Sequence, residues 1–249
     1  MDVVGVIPAR FSSSRFEGKV LADIYGKPML QWVYEAAKKA KILDDLIIAC
    51  DNENVEIAAR SFGANVVFTS KEHTSGTDRI AEVINPIEAK IIVNIQADEP
   101  LIQPSMIEDV ASALLKDNSV GMSTLRKEIT EIGELYDPNI VKVVVDKDDF
   151  ALYFSRSPLP SPEREIDKNS PVMPKGFFKH IGLYAYTKDF LFTFKNLPSS
   201  SLEKIEKLEQ LRVLENGYKI KVLETNFETI GVDTAEDLER LKERIRAQE

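Results

Sequence analysis

The chain has 249 residues, of which 43% are hydrophobic and 29% charged, and these values indicate a globular protein with a sizeable core. Its net charge of −9 at pH 7 argues against non-specific nucleic-acid binding as the main role. His73 and His180 are too few for a histidine-rich metal site, and the single Cys50 excludes an intrachain disulfide. No apolar run approaches the roughly 18 residues of a membrane-spanning helix, and the first residues are not basic, so we expect a cytoplasmic protein.

The first strand and the loop after it are the most informative stretch. Residues 3–7 form a β-branched apolar run, as expected for a buried parallel strand, and Pro8 ends it. The loop carries Arg10, Arg15 and Lys19 together with three serines and one glycine. Because backbone N–H groups and cationic side chains can bind the same anion, we interpret the loop as a polyphosphate site. It lacks the glycines of a Walker A loop, and the alternative is three solvated loop cations.

The first half of the chain alternates predicted strands with predicted helices. Strands are predicted over 3–7, 46–49, 65–68, 91–95 and 120–125. Helices are predicted over 29–40, 55–61 and 104–116, with a further helix that ends near residue 84. This order predicts a parallel sheet with right-handed crossovers, whose ligands bind beyond the carboxyl ends of the strands. Arg10, Thr69 and Asp98 each follow a strand and therefore fall on that edge.

The second half of the chain has a different character. A β-hairpin is predicted over 141–154, followed by a proline-rich loop over 157–174. A strand over 180–186, a helix over 199–217, a strand over 219–223 and a final helix that begins at the N-cap Thr234 close the chain. The buried stripe of the 199–217 helix is predicted to comprise Leu202, Ile205, Leu208, Leu211 and Leu214.

These elements predict one α/β domain over 1–249 with a mostly parallel central sheet. We expect a nucleotide-binding core over 1–126 and closing elements over 199–249. The region over 127–198 is interpreted as an inserted hairpin that serves as an acceptor or dimerisation region.

Two aspartates are candidates for a magnesium site beside the polyphosphate loop. Asp98 follows a central strand and Asp233 follows a late one, and carboxylates that bind a nucleotide-associated Mg²⁺ usually number one or two. Each aspartate also has a structural alternative. Asp98 would cap the turn before Pro100, and Asp233 would help to cap the last helix.

Seven sequence blocks together resemble one known family. They are Ile7-Pro8-Ala9-Arg10 with Arg15 and Lys19, Ser75-Gly76-Thr77-Asp78-Arg79, Asn94-Ile95-Gln96-Ala97-Asp98-Glu99-Pro100, Ala151-Leu152-Tyr153-Phe154-Ser155-Arg156, His180-Ile181-Gly182-Leu183-Tyr184, Leu208-Glu209-Gln210-Leu211-Arg212 and Gly231-Val232-Asp233-Thr234. In this order, and from residue 3 to about residue 241, the blocks resemble the 3-deoxy-manno-octulosonate (Kdo) cytidylyltransferase family, the CMP-Kdo synthetases.

The resemblance implies a Rossmann-like nucleotidyltransferase domain of the glycosyltransferase-A type, usually a homodimer. It implies the reaction of CTP with Kdo to CMP-Kdo and pyrophosphate, with Mg²⁺, for lipopolysaccharide assembly. The partners expected are thus CTP and Kdo, without nucleic acid and without membrane insertion.

The resemblance also implies a role for each matching residue. Arg10, Arg15 and Lys19 fall on the triphosphate, Ser75 and Arg79 fall near the nucleotide, and Gln96 lies at the junction with the sugar. Asp98 and Asp233 fall on Mg²⁺ and, with Arg10 and Lys19, form the catalytic set. Arg156 suits the Kdo carboxylate, and the remaining sugar contacts implied are His180, Tyr184, Glu209 and Gln210. For Tyr184 the alternative is a strand core residue, and for Glu209 a solvated helix residue.

The chain departs from the family pattern in three places. Glu17 and Val20 replace two prolines that are common in the phosphate loop, which predicts a loop that is more mobile when empty. Glu17 also adds a negative charge beside the phosphate site, which predicts weaker CTP binding without a change of reaction. Ala97 stands where glycine is frequent, a minor change unless that position needs a positive φ.

Three other functions compete with this interpretation. The first keeps the fold and changes the acid sugar, to 8-amino-Kdo or, less favoured by the sequence around His180 and Glu209, to a sialic acid. The second is a UTP- or GTP-dependent transferase, which usually has a glycine-rich first loop. The third is a non-catalytic nucleotide-binding protein, which would be expected to lose Lys19, Asp98 or Asp233, and all three are present.

Overall fold

The computed structural model describes residues 1–12, 16–73, 75–117, 119–161 and 175–247. The strands are β1 Val3–Ala9, β2 Asp23–Ile24, β3 Lys27–Pro28, β4 Asp45–Cys50, β5 Asn65–Phe68, β6 Ile91–Asn94, β7 Met122–Glu128, β8 Lys142–Val145, β9 Ala151–Ser155, β10 Phe178–Thr187 and β11 Lys221–Glu224. The helices are α1 Met29–Ala37, α2 Glu53–Ser61, α3 Gly76–Ile84, α4 Pro104–Lys116, α5 Ile132–Tyr136, α6 Lys188–Asn196, α7 Ser201–Glu206, α8 Leu211–Glu215 and α9 Ala235–Arg246.

The main sheet has the strand order β11-β7-β10-β6-β1-β4-β5. Strands β6, β1, β4 and β5 are parallel to one another, and β11 is parallel to β7. Strand β10 is antiparallel to both of its neighbours, β6 and β7. The predicted mostly parallel α/β sheet is therefore confirmed, with β6 at its centre. No described helix is long and apolar enough to cross a membrane.

The parallel strands carry apolar side chains on both faces, and helices cover both faces of the sheet and bury them. On one face the strand residues pack against α1, α2 and α4, through side chains such as Leu30, Val55 and Ile107. On the other face they pack against α3, α6 and α8, through side chains such as Ile80 and Leu191. Cys50 lies in the first of these two clusters, as predicted for a core residue.

The region over 127–198 is more closely joined to the sheet than an insertion would require. Strand β10, which lies in this region, pairs with β6 and β7 in the middle of the sheet. The predicted hairpin is formed by β8 and β9, and β8 pairs in turn with β10. Because β10 runs antiparallel to β6 in the register Tyr184↔Asn94, its N-terminal half extends past the carboxyl end of β6.

The prediction of one helix over 199–217 is wrong. Residue Lys207 has a left-handed backbone, with φ of 54°, and ends α7, so the segment forms two short helices. The change of direction leaves Ile205 76% exposed, whereas Leu208 and Leu211 are buried as predicted. The sequence analysis predicted neither of the helices α5 and α6.

We predict that Gly121→Ala destabilises the fold. A Cβ atom at residue 121 would lie 2.5 Å from Cγ and 2.8 Å from Cβ of Phe190, atoms that move only if the α6 backbone shifts. Overpacking of this kind costs about 1–3 kcal/mol, which urea unfolding would measure. Gly133→Ala is the matched control, because a Cβ at residue 133 meets nothing within 4 Å. Equal stability of Gly121→Ala and the wild type would contradict the packing described here.

Candidate active site

A cavity of about 510 Å³ opens at the carboxyl edge of the sheet, where the chain leaves β1 and β6. The side chains and backbone that line it come from the phosphate loop, the start of α3, the turn after β6 and the segment before α9. They are Pro8, Arg10, Ser12, Lys19, Val20, Gly76, Gln96, Ala97, Asp98 and Asp233. Five of the predicted site residues, Arg10, Lys19, Gln96, Asp98 and Asp233, therefore share one cavity.

The ammonium of Lys19 joins the two predicted metal ligands. Its Nζ donates to Asp98 Oδ2 at 2.6 Å, to Asp233 Oδ1 at 3.0 Å and to the backbone carbonyl of Val232 at 3.0 Å. Burial lowers the pKa of Lys19, but the charges and hydrogen bonds of Asp98 and Asp233 outweigh it, so the pKa is raised overall. Lys19 is a fixed cation at neutral pH.

The loop reaches this position through a tight turn at Gly18. Its φ of 68° lies in the left-handed region, which glycine adopts at little cost. The N–H of Gly18 donates to the carbonyl of Phe11 at 2.9 Å, and Lys19 then begins a short 3₁₀ turn over Lys19–Leu21. This turn directs Lys19 into the cavity.

Asp98 and Asp233 are close enough to share a cation. Each has an oxygen within 3.0 Å of the same nitrogen, so these two oxygens cannot be more than twice that distance apart. The backbone N–H of Val232 donates to the carbonyl of Asp98 at 3.0 Å and fixes the two segments together. The N-cap of α9 is Thr234, in a capping box with Asp237, so capping does not explain Asp233.

The carboxylates of Asp98 and Asp233 fit a Mg²⁺ ion whose remaining ligands come from the substrate and from water. No group of three or more His, Cys, Asp or Glu side chains suited to a metal occurs in the described ranges. Mg²⁺ commonly takes one or two carboxylates and completes its shell with phosphate oxygens and water. Asp98 and Asp233 match that pattern.

Glu99 is a residue of this site that the sequence analysis did not single out. Burial and the neighbouring charge of Asp98 raise the pKa of Glu99 to about 8. Its Oε2 is buried without a hydrogen-bond partner among the described residues. A neutral Glu99 limits the negative charge next to Asp98 and Asp233. Its position beside Asp98 was the available sequence signal.

A second cavity of about 140 Å³ adjoins the first, because Gly76 and Gln96 line both. Its other lining residues are Thr77, Asn94, Met122, Tyr184, Tyr186, Phe194, Glu209 and Gln210. Three predicted sugar-binding residues, Tyr184, Glu209 and Gln210, therefore lie together next to the first cavity. The sequence analysis did not identify Thr77, Asn94 or Tyr186 as site residues, although a polar Asn94 at the end of an apolar strand was a signal.

His180 and Arg156 lie close to this region but line neither cavity in the part of the chain that is described. The Nε2 of His180 is 2.9 Å from the Thr124 hydroxyl, and the ring packs edge-on against Phe154. Burial lowers the pKa of His180 to about 3. The Arg156 guanidinium donates to the carbonyls of Glu206 and Pro138, both at 2.9 Å.

Arg79 and Ser75 do not present their side chains to the first cavity. Arg79 is fully buried and donates to Asp51 at 2.7 Å and to the Thr69 hydroxyl, so the predicted direct contact with nucleotide is not supported by its position. Ser75 is the N-cap of α3, and its Oγ accepts from the N–H of Asp78 at 3.0 Å. The neighbouring Gly76 lines the cavity instead. Arg15 lies outside the described residues.

The three departures from the family pattern have modest structural effects. Val20 is buried and lines the first cavity, whereas Glu17 is exposed. Ala97 is not among the residues with positive φ, so this position does not require glycine.

Comparisons with known proteins agree with this fold. The profile of the cytidylyltransferase family matches residues 4–220. The chain therefore belongs to a family of nucleotidyltransferases.

Relatives at high identity narrow this class. A protein from Geotalea uraniireducens described as 3-deoxy-manno-octulosonate cytidylyltransferase is 49% identical to the chain, and the match covers 99% of the chain and 100% of the relative. A protein of the same description from Solibacter usitatus is 53% identical, and the match covers 98% of the chain and 95% of the relative. A solved structure of CMP:2-keto-3-deoxy-manno-octonic acid synthetase complexed with CTP has a TM-score of 0.91 at 40% identity, with both chains fully covered. The chain is a member of the 3-deoxy-manno-octulosonate cytidylyltransferase family.

We predict that the imidazole of His180 stays neutral when the pH falls from about 8 to about 5, because its pKa is lowered to about 3 from an ordinary value near 6.5. Ring ¹⁵N NMR shifts would measure this, and a His73→Gln variant would assign the two signals. The unfolded chain binds this proton below about pH 6.5 and the folded chain does not, so His180 lowers the free energy of unfolding as the pH falls through that range. Protonation of His180 with a midpoint above pH 5 would refute its buried placement.

Proposed function

We propose that the protein transfers the cytidylyl group of CTP to the anomeric hydroxyl of Kdo, giving CMP-Kdo and pyrophosphate. The observation that carries this proposal is the convergence of Lys19, Asp98 and Asp233 on one cavity that adjoins a second, polar cavity. The first cavity would bind CTP and the second would bind the acid sugar. The family to which the chain belongs supports the same assignment.

The cationic loop would hold the triphosphate. Arg10 and Lys19 line the cavity, and we assign Arg15 to the same role from the sequence alone. The ammonium of Lys19 has three donors, and Asp98, Asp233 and Val232 already occupy them. To bind a phosphate oxygen, Lys19 would therefore release one or more of its carboxylate partners. The positioned cations would stabilise the charge that spreads over the phosphates as pyrophosphate leaves.

Asp98 and Asp233 would hold Mg²⁺ together with phosphate oxygens of CTP. When bound, the ion would supply charge neutralisation at the phosphates and lower the pKa of the acceptor hydroxyl. Because burial lowers the pKa of His180 to about 3, its imidazole is a weak base, and it lines neither described cavity, so we do not assign it as a general base.

The second cavity would orient the acceptor. Gln96 lies between the two cavities, and Tyr184, Glu209 and Gln210 offer hydrogen-bonding groups for sugar hydroxyls. We assign His180 to a hydrogen bond with a sugar hydroxyl from the sequence resemblance alone, because it lines neither described cavity.

Arg156 is assigned to the Kdo carboxylate, because a guanidinium binds a carboxylate with two parallel hydrogen bonds. This would require it to release the carbonyls of Glu206 and Pro138. Arg79 would act indirectly, by fixing Asp51 and Thr69 at the ends of β4 and β5.

The wider biological setting follows from this reaction. CMP-Kdo is the activated form of Kdo, so the enzyme would serve lipopolysaccharide biosynthesis in the cytoplasm, where CTP is made. We also propose a homodimer, with the β8–β9 hairpin as part of its contact surface. 8-Amino-Kdo remains the alternative acceptor, because it differs from Kdo by one group at the far end of the sugar.

We predict pyrophosphate release with CTP, Mg²⁺ and Kdo, and its loss when EDTA removes the metal. The decisive assay crosses four nucleoside triphosphates with Kdo, 8-amino-Kdo and a sialic acid, and follows pyrophosphate. The highest kcat/KM is expected for CTP with Kdo. A clear preference for another nucleotide or for sialic acid would refute the proposed substrates, and full turnover after metal removal would refute the metal assignment.

We predict that Asp98→Asn and Asp233→Asn each lower turnover by about a hundredfold or more, because an amide binds Mg²⁺ more weakly than a carboxylate does. The same assay would measure this, with circular dichroism to verify folding. Asp189→Asn, at an exposed position in the first turn of α6, is the matched control and should retain wild-type turnover. If either site variant keeps near-normal turnover, its aspartate is not a required metal ligand.

A further inference from the structure

We propose that Thr77 is a positioning residue for acceptor specificity, which acts by fixing the carboxylate of Glu209. This inference rests on the proposed function, since it assigns the second cavity to the acid sugar. The residue lies at the start of α3, between the nucleotide cavity and the acceptor cavity, and had no role in the sequence analysis.

The contact between the two side chains is well defined. The Thr77 Oγ1 donates to Glu209 Oε2 at 3.0 Å, and Thr77 itself is only 3% exposed. The side chain of Glu209 keeps 38% of its surface exposed while it lines the cavity. A ligand in the cavity can therefore reach Glu209, while the more deeply buried Thr77 holds one oxygen of the Glu209 carboxylate by a hydrogen bond.

Glu209 depends on this support because the local backbone is irregular. It lies in the turn between α7 and α8, two residues after the left-handed Lys207. The nearest described cation is Arg212, whose guanidinium is 3.9 Å away and already forms a hydrogen bond with Glu203 at 2.9 Å. The Thr77 hydroxyl is thus the group that fixes the direction of the carboxylate.

Thr77 also connects the acceptor cavity to the nucleotide cavity. The preceding residue, Gly76, lines both cavities and begins α3. A helix of nine residues with a capped N-terminus is a rigid element, so one helix end sets the distance between a nucleotide at Gly76 and the carboxylate at Glu209. Correct placement of the acceptor relative to CTP would then depend on a single hydroxyl.

Other polar side chains lie beside Thr77 in the wall of the second cavity. Tyr186 and Asn94 line the same cavity as Thr77. The Gln96 amide in turn donates to Asn94 Oδ1 at 3.2 Å. A hydroxyl has one donor, and Thr77 uses it on Glu209, so Thr77 remains able to accept from Tyr186.

The chemistry of the pair indicates what it recognises. An ionised carboxylate only accepts hydrogen bonds, and one oxygen of Glu209 is occupied by Thr77. The other oxygen is available for a hydroxyl donor of the acceptor. Loss of the Thr77 hydroxyl would let the carboxylate rotate and would weaken sugar binding more than nucleotide binding.

The test compares Thr77→Val with Thr77→Ser in steady-state kinetics with CTP, Mg²⁺ and Kdo. Valine keeps the shape and removes the hydroxyl, and serine keeps the hydroxyl. We expect Thr77→Val to raise the KM for Kdo roughly tenfold or more, as for a hydrogen bond to a charged group, with the KM for CTP within about twofold. Thr77→Ser should restore the wild-type KM for Kdo.

A double-mutant cycle with Glu209→Ala separates this role from a packing role. If Thr77 acts through Glu209, adding Thr77→Val to Glu209→Ala raises the KM for Kdo no further. Thr193→Val, a threonine of α6 that bonds only the backbone of its own helix, is the control and should match the wild type.

Four results would overturn the inference. They are an unchanged KM for Kdo in Thr77→Val, an unchanged KM for Kdo in Glu209→Ala, an equal loss in Thr77→Ser, and additive losses in the double variant. The Glu209→Ala result stands even if Thr77→Val does not fold. A wild-type enzyme inactive with Kdo would instead refute the proposed function, and this inference with it.

Discussion

The site depends on one interaction, the ammonium of Lys19 held between the carboxylates of Asp98 and Asp233. Two carboxylates this close would repel each other without a cation, and the Lys19 ammonium between them compensates their charge. The Lys19 side chain is only 13% exposed, whereas that of Asp233 is 47% exposed and more open to screening by solvent. The three residues come from the phosphate loop, the turn after β6 and the segment before α9. Their contact therefore joins the beginning, middle and end of the chain at one point.

The topology of the sheet explains why both cavities lie on the same edge. Parallel strands place every loop that follows a strand on the carboxyl edge, which brings Arg10 next to Asp98. The antiparallel β10 delivers its N-terminal half to this same edge, with Tyr184 opposite Asn94. One reversed strand thus brings Tyr184, which lines the second cavity, next to the first cavity.

Burial and ion-pair partners together determine the state of the titratable groups near this edge. Arg79 is fully buried with its charge paired to Asp51 and a second hydrogen bond to Thr69, although its Nε has no partner among the described residues. It thereby joins the ends of β4 and β5 from within the protein. Burial keeps His180 neutral, and it raises the pKa of Glu99 to about 8, which limits the negative charge beside Asp98. A protein with a net charge of −9 thereby keeps a local site suited to an anionic nucleotide.

Local patterns in the sequence were sufficient where one element could be recognised without its neighbours. They predicted the parallel strands, the N-cap of α9 at Thr234, and a cationic loop with two aspartates at one edge. They failed at the 199–217 segment, because its apolar spacing is compatible with one helix and a lysine at position 207 does not signal a left-handed backbone.

The sequence by itself determined the fold class, the edge on which the site lies and most of the residue types in it, because periodicity and turn chemistry are local properties. Only the tertiary structure decided which of those residues meet. In the tertiary structure the Lys19 ammonium contacts both Asp98 and Asp233, Arg79 is fully buried, and the Thr77 hydroxyl donates to Glu209. These contacts join residues far apart in the chain, and no local pattern encodes the distance between them.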